Sequence, residues 1–165
     1  MKIYLLIHLF QKNTSAWSDW SGKEFGSIES ENGYNCAHIS SDVKNKEIVC
    51  QQRLTGKLKE NTYYTISGWV KTKNIEKGTN DNIMFYVDGY MTDPGTRESW
   101  FGYGARGILT KDDTWEFKKW TFKTDKKAKL AKILQFILYF QKVKGDIYFR
   151  NLKLEEGKKA TPFTE

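Results

Sequence analysis

Few residues in this chain of 165 could carry acid–base, nucleophilic or metal chemistry. It has two histidines, His8 and His38, and two cysteines, Cys36 and Cys50. A four-cysteine zinc site is excluded by count, and the spacing of His8, Cys36, His38 and Cys50 matches no usual zinc pattern. No Gly-x-Ser-x-Gly elbow presents a serine nucleophile. His8 stands in an apolar run and His38 in a strand pattern, so both read as structural. Gly102-Tyr103-Gly104-Ala105-Arg106-Gly107 has the letter spacing of a dinucleotide fingerprint. That fingerprint must open a helix, and no helix pattern follows here. The adjacent acids Asp112–Asp113 and Glu155–Glu156 read as solvated turn residues. Glycoside hydrolysis needs two carboxyls roughly 5–10 Å apart across a cleft, and no motif points to such a pair.

What stands above background is aromatic. Six Trp, nine Tyr and ten Phe make up 15% of the chain, which argues against disorder. Several rings fall where strand alternation predicts a polar face. Trp69 lies between Ser67 and Lys71, and Tyr139 shares its face with Gln135 and Gln141, as well as Ile133 and Ile137. Trp100, Phe101 and Tyr103 cluster in a glycine-rich stretch. A flat ring stacks on the apolar C–H face of a sugar, while amides, carboxylates and guanidinium groups bond its hydroxyl rim. Trp69, Trp100, Phe101, Tyr103, Tyr139 and Gln141 are therefore the candidate ligand surface. Large rings also fill cores, and Trp115, Trp120 and Phe122 are assigned there.

Strands must position these rings. Ala37–Ser40 and Glu47–Leu54 read as a hairpin. Thr62–Thr72 alternates Tyr64, Ile66, Gly68 and Val70 with Thr65, Ser67, Trp69 and Lys71. Asn82–Tyr90 puts Ile83, Phe85 and Val87 on one face, and Trp115–Thr124 puts Trp120 and Phe122 together. Lys132–Gln141 is nearly all apolar and reads as a central strand rather than a helix, and Gly145–Leu154 closes the set. Tyr90–Thr114 reads as a long irregular segment, of the kind that carries function or covers an edge. Seven or eight strands with polar turns predict an all-β, two-sheet antiparallel sandwich or barrel.

The net charge is +7, from 27 Lys+Arg and 20 Asp+Glu. Such a balance suits nucleic acid, anionic membranes or acidic polysaccharide. The densest cluster, Lys118 to Lys132, reads as a solvated edge, since lysines there block unwanted strand pairing. The Met1–Phe10 run is interrupted by His8 and is far below the ~20 residues that cross a bilayer. It reads as an ordered strand or a docking segment (residues 1–12) ahead of one domain (13–165). If Val43 is the midpoint of the first hairpin, Cys36 and Cys50 face each other. If the midpoint lies between Val43 and Lys44, they fall on opposite faces. A disulfide and two buried thiols both remain open.

The segment Asp146–Glu165, DIYFRNLKLEEGKKATPFTE, resembles the closing segment of carbohydrate-binding-module-like jelly rolls found in bacteriophage tail and baseplate proteins. In that group a strand like Ile147–Leu154 runs into Leu-Glu-x-Gly and then Ala-Thr-x-Phe/Trp-Thr. Here these are Leu154, Glu155, Gly157, Ala160, Thr161, Phe163 and Thr164. Tyr63–Lys71 is similar to the family's "YTLSxWVK" strand, Trp115–Phe122 to its "WxxxxxTF" strand, and Asn13–Trp20 to its opening "N-T-S-x-W". The resemblance implies a jelly roll with a concave face, on which or at whose rim relatives bind glycans, with Trp69 on a strand that carries a ring in some. It implies a non-catalytic glycan-binding module. It further implies a virion location, other virion proteins and bacterial surface polysaccharide as partners, and a homo-oligomer or larger assembly, with neither nucleic acid nor a membrane span. Many such modules hold a structural calcium on an Asp near the end of the last strand. Arg150-Asn151 stands there, without the carboxylate that calcium favours, and no cofactor is expected. The rival expectations are a purely structural virion connector, a secreted accessory module and a nucleic-acid binder.

Overall fold

The computed structural model describes residues 3–4, 27–31, 34–44 and 46–163. Its strands in chain order are β1 (Ile3–Tyr4), β2 (Ser27–Glu31), β3 (Tyr34–Ser41), β4 (Glu47–Arg53), β5 (Tyr63–Tyr90), β6 (Trp100–Gly107), β7 (Glu116–Lys123) and β8 (Ile133–Glu156). One helical turn, α1 (Lys127–Leu130), precedes β8. All pairings are antiparallel.

Two long strands build both layers of the sandwich. The first half of β5 pairs with the second half of β8, from Tyr64 opposite Glu156 to Lys73 opposite Asp146. The second half of β5 pairs with the first half of β8, from Asn82 opposite Gln141 to Tyr90 opposite Ile133. The ladder shifts register between these halves, where the chain passes from one sheet to the other. Asn74, Asn80 and Lys142 adopt positive φ there. So does Gly145 at φ 126°, where a Cβ would come within 2.8 Å of the Lys73 carbonyl oxygen. Sheet one thus runs β2-β3-β8-β5-β7, with β1 beside the end of β8; sheet two runs β4-β8-β5-β6.

The core lies between the sheets. Sheet one contributes Tyr64, Ile66, Val70, Ile147, Phe149 and Phe122; sheet two contributes Ile83, Phe85, Val87, Phe136, Leu138 and Phe140. Phe85 packs 6.4 Å from Phe149 across the layers. Burying each of these side chains is worth about 1.5–3 kcal/mol. The alternation of apolar residues is what commits each strand to its facing. The family-like jelly roll and two-sheet antiparallel sandwich are present.

Several finer expectations change. The strands around Cys36 and Cys50 are not a hairpin. β3 pairs with β8 at 145–149 and β4 pairs with β8 at 135–141, so β3 and β4 lie in different sheets. The cysteines therefore sit in different sheets as buried thiols, not joined by a disulfide. The Tyr90–Thr114 segment is not irregular throughout. Its glycines hide β6, which forms because the outer edge of β5 offers it a ladder. Trp115 is not in the core; it lies on the outer face of sheet one, with the Arg150 guanidinium 4.5 Å from its ring. Trp120 packs against the core and Phe122 is buried in it. The Met1–Phe10 run apart from Ile3–Tyr4, including His8, and the Asn13–Trp20 opening lie outside the described residues.

Candidate functional site

The two outer faces differ in what fills them. On sheet one, the protein's own side chains occupy the surface. Lys71 is 1% exposed, pairs with Asp113 at 3.1 Å and lies 4.7 Å from the Tyr148 ring. His38 stacks on the other strand's Tyr148 at 4.3 Å and bridges Glu29 (2.6 Å) and Asp146 (2.8 Å). The His38 contact holds the Glu29 carboxyl below the usual carboxylate range. Arg150 spans Trp115 and Trp69.

On sheet two, register places Asn82, Met84, Tyr86, Asp88 and Tyr90 of β5 on one outer face, opposite Gln141, Tyr139, Ile137, Gln135 and Ile133 of β8. Of these, Asn82, Met84, Tyr86, Asp88, Tyr90, Tyr139 and Gln141 line a shallow groove of about 420 Å³ together with Trp100 of β6. Tyr86 meets Tyr139 edge to face at 5.8 Å. The Trp100 indole N–H donates to Asp88 Oδ2 at 3.0 Å, which fixes the ring at the groove wall. Gln135 donates to Asp88 Oδ1 at 3.1 Å, and Asn82 donates to Gln141 Oε1 at 3.3 Å. Gly102 of β6 keeps the wall open: a Cβ there would lie 2.8 Å from the Tyr86 hydroxyl and 3.2 Å from the Trp100 ring.

Asp88 is 3% exposed. Burial pushes its carboxyl above the usual range, while the bonds from Trp100 and Gln135 pull it back. Burial also raises the phenols of Tyr86, Tyr90 and Tyr139, and the nearby Asp88 charge raises them further. The groove is therefore a set of neutral rings and amides around one buried, doubly bonded carboxyl. That chemistry stacks on apolar ring faces and bonds hydroxyls.

The candidate residues separate into three places. Trp100, Tyr139 and Gln141 meet in the groove. Trp69 lies on sheet one, 37% exposed and edge-on to Phe117 at 5.6 Å, beside a smaller hollow of about 250 Å³ near Thr161 and Phe163. Phe101 is 5% exposed, because residues after Trp100 alternate inward, and its ring belongs to the core. Tyr103 is half-buried, stacks on Phe122 at 5.9 Å and donates its hydroxyl to Asp125 at 2.9 Å. Neither Phe101 nor Tyr103 lines the groove. Asn82, Met84, Tyr86, Asp88 and Tyr90 were not singled out from the sequence. Yet the alternation that marks Ile83, Phe85 and Val87 as core also puts Tyr86 and Tyr90 among polar residues on the opposite face.

The position where the resemblance implies a calcium-binding Asp does not suit calcium. Arg150 brings a cation of its own there, 5.6 Å from Trp69 and 4.5 Å from Trp115. Among the described residues, no group of three His, Cys, Asp or Glu side chains is placed to hold a metal ion. No described helix is long and apolar enough to cross a membrane.

The sequence matches the model of a carbohydrate-binding domain family over residues 4–142. No curated protein matches it. Among solved structures, a xylan-binding domain of Paenibacillus barcinonensis Xyn10C is similar at TM-score 0.61 and 12% identity, covering 90% of this chain and 96% of that one. The enzymatically active domain of a bacteriophage CBA120 tailspike is similar at TM-score 0.58 and 11% identity, over 88% of this chain and 20% of that one. The tripod from the baseplate of bacteriophage Tuc2009 is similar at TM-score 0.50 and 17% identity, over 81% of this chain and 50% of that one. At these identities the likeness is one of fold.

Proposed function

The chain belongs to this carbohydrate-binding domain family, and from that premise we propose that it is a non-catalytic module that binds glycan in the sheet-two groove. The observation that carries the proposal is the groove's lining: Tyr86, Tyr90, Trp100 and Tyr139 beside the amides of Asn82 and Gln141. Rings supply stacking platforms and the amides bond sugar hydroxyls. The groove lining includes a single carboxyl, Asp88, and both its oxygens are engaged. Two carboxyls across a cleft, as glycoside hydrolysis uses, are not among the lining residues, which supports binding without catalysis.

The fold likeness to tailspike and baseplate parts supports a finer reading. In it the module is a virion component of a phage tail or baseplate and meets bacterial surface polysaccharide. Each site is shallow, so repetition of the module in an oligomer or larger assembly supplies avidity through high effective concentration. In this reading residues 13–165 form the module, and the segment before them docks or adds a strand.

The test is a glycan array that includes bacterial cell-wall polysaccharides, followed by titration calorimetry on the glycans that bind. Tyr139→Ala is expected to abolish binding and Trp69→Ala to preserve it. Binding that survives Tyr139→Ala and is lost with Trp69→Ala moves the site to the hollow on sheet one. Folded protein that binds no glycan favours a purely structural connector.

A further inference from the structure

The net charge of +7 is not spread over the molecule. At the end of the sandwich where the chain crosses between the sheets, stretches 42–47, 73–81, 111–113 and 142–146 hold seven lysines and seven acids. Many of these are paired: Lys44 and Lys144 with Glu76, Lys77 with Asp81, Lys73 with Asp113. The other end is built by 57–60, 123–132 and 156–159. Those stretches hold nine lysines against three acids, Glu60, Asp125 and Glu156. All nine lysines are exposed. Among the described residues only Lys59 is paired with a carboxylate, Glu156 at 2.9 Å.

These stretches form one surface. The Thr124 hydroxyl bonds the Lys59 carbonyl at 2.7 Å, and the Gly157 N–H donates to the Tyr63 carbonyl at 2.7 Å. Lys123 and Lys158 lie 5.5 Å and 4.1 Å from the Tyr63 ring. The Lys132 N–H donates to the carbonyl of Tyr90, a groove residue, at 3.0 Å, so the basic end abuts the groove. Unpaired like charges on one face repel and cost stability; a surface that keeps them gains when a polyanion neutralises several at once.

We propose that this end binds an anionic polysaccharide, one carrying phosphodiester or carboxylate groups, next to the groove. The proposal rests on the glycan reading of that groove. Nucleic acid fits less well. Single-strand binders offer open rings on which bases stack, whereas the exposed ring here, Tyr63, has lysine ammonium groups against it. The nine cations are all lysines, point charges without the planar fork that Arg brings to nucleic-acid recognition.

The test titrates the full chain with poly(glycerol phosphate) and with polygalacturonate, the phosphate and carboxylate forms of the same ligand chemistry. A (dT)15 oligonucleotide is the nucleic-acid arm. The variant Lys126→Glu/Lys129→Glu/Lys132→Glu reverses the basic end. Lys46→Glu/Lys111→Glu/Lys142→Glu makes the same change of net charge at the balanced end. All the substituted side chains are exposed except Lys142, which is partly buried, and circular dichroism checks that both variants fold. Three engaged cations imply roughly a twentyfold loss of affinity between 50 and 200 mM salt, on the scale of flexible single-stranded polyanions. The wild type is expected to show that fall; the basic-end variant is expected to bind more weakly at low salt and to lose most of this salt dependence, and the balanced-end variant to keep it. Binding of either polysaccharide with this pattern supports the proposal and identifies which anion is preferred. Equal losses in the two variants, no binding of either polysaccharide, or (dT)15 binding as tightly as both would overturn it. A Tyr139→Ala variant that loses neutral glycans but keeps the acidic polymers separates this end from the groove. Failure of the groove reading then shows as an unchanged array profile in that variant.

Discussion

Asp88 gives the most direct test of the groove, because its carboxylate holds a ring and an amide together. Asp88→Ala removes the acceptor of both the Trp100 and the Gln135 bond. Trp100 is 46% exposed, so its indole N–H rehydrates at little cost. Gln135 is 4% exposed, and leaving its amide without a partner costs about 1–3 kcal/mol. Removing the carboxyl also returns its desolvation cost, so the net loss is expected near the lower figure. That is a fall in Tm on the order of 2–4 °C for a chain this size. Asp88→Asn keeps an oxygen for the indole, and Gln135 can turn its own oxygen toward the new amide, so stability should change by under about 1 kcal/mol. Affinity is expected to follow Trp100. Once unanchored, the ring is free to leave the wall, and a loss of about 1.4 kcal/mol is tenfold in Kd. Alanine should weaken glycan binding by about that factor and asparagine far less. The pH dependence has a definite sign. A carboxyl raised on folding contributes stability that is fully present below its unfolded pKa and is lost as pH rises through the raised value. The Tm of the wild type relative to Asp88→Asn should therefore fall with rising pH across that window. Thermal unfolding over a pH series and calorimetric titration read all of this. Asparagine as damaging as alanine, or alanine without effect on affinity, would refute the reasoning.

Gly102→Ala adds one methyl 2.8 Å from the Tyr86 hydroxyl and 3.2 Å from the Trp100 ring. It should weaken glycan affinity by about tenfold, one 1.4 kcal/mol step, while denaturant unfolding shows a smaller change, because the site is on an edge strand. Glu155 is fully buried, pairs with Lys153 at 3.1 Å and accepts bonds from the N–H and hydroxyl of Thr161. Glu155→Ala leaves a buried cation without its counter-charge and is expected to cost about 3–5 kcal/mol in urea unfolding; a cost under about 1 kcal/mol would mean that the Thr161 segment is not latched by this pair. Cys36 and Cys50 are buried in separate sheets, and burial raises the Cys50 thiol. An Ellman titration should find no fast-reacting thiol in native protein and two after denaturation; two thiols missing after denaturation would reveal a disulfide that this fold does not allow.

The strands were legible wherever one face is apolar and the other polar, as in Thr62–Thr72 and Asn82–Tyr90. Their pairing was not. A short link such as 42–46 between two strands reads locally as a hairpin. What overrides it is β8, 24 residues long, which offers one half to β3 and the other to β4. That choice depends on contacts about a hundred residues away. β6 was obscured because glycines at 102, 104 and 107 lower strand propensity, which the ladder from β5 overrides. Of the rings read onto polar strand faces, Trp69 is exposed and Tyr139 is half-buried. The signal carries no information on which sheet a ring belongs to, so it grouped Trp69 with Tyr139, and it drew in Phe101 by mere adjacency to Trp100.

Net charge was equally legible and equally silent on place, and its placement leads to a separable prediction. The groove lining holds no Lys or Arg, and its one acid is buried and bonded on both oxygens. Recognition there depends on stacking and neutral hydrogen bonds, which salt barely screens. The basic end depends on exposed ammonium groups, whose field decays over about 10 Å at 0.1 M salt and about 3 Å at 1 M. A neutral glycan should therefore bind with nearly the same affinity from low to high salt, while an acidic polymer loses affinity steeply over the same range. A polymer with both neutral and acidic repeats should fall to a plateau set by the groove alone, and Tyr139→Ala should remove that plateau while leaving the steep part. Calorimetry at four or five ionic strengths would distinguish the cases. A neutral glycan whose affinity falls as steeply as that of an acidic one would mean that lysines, not the rings of sheet two, make the contact.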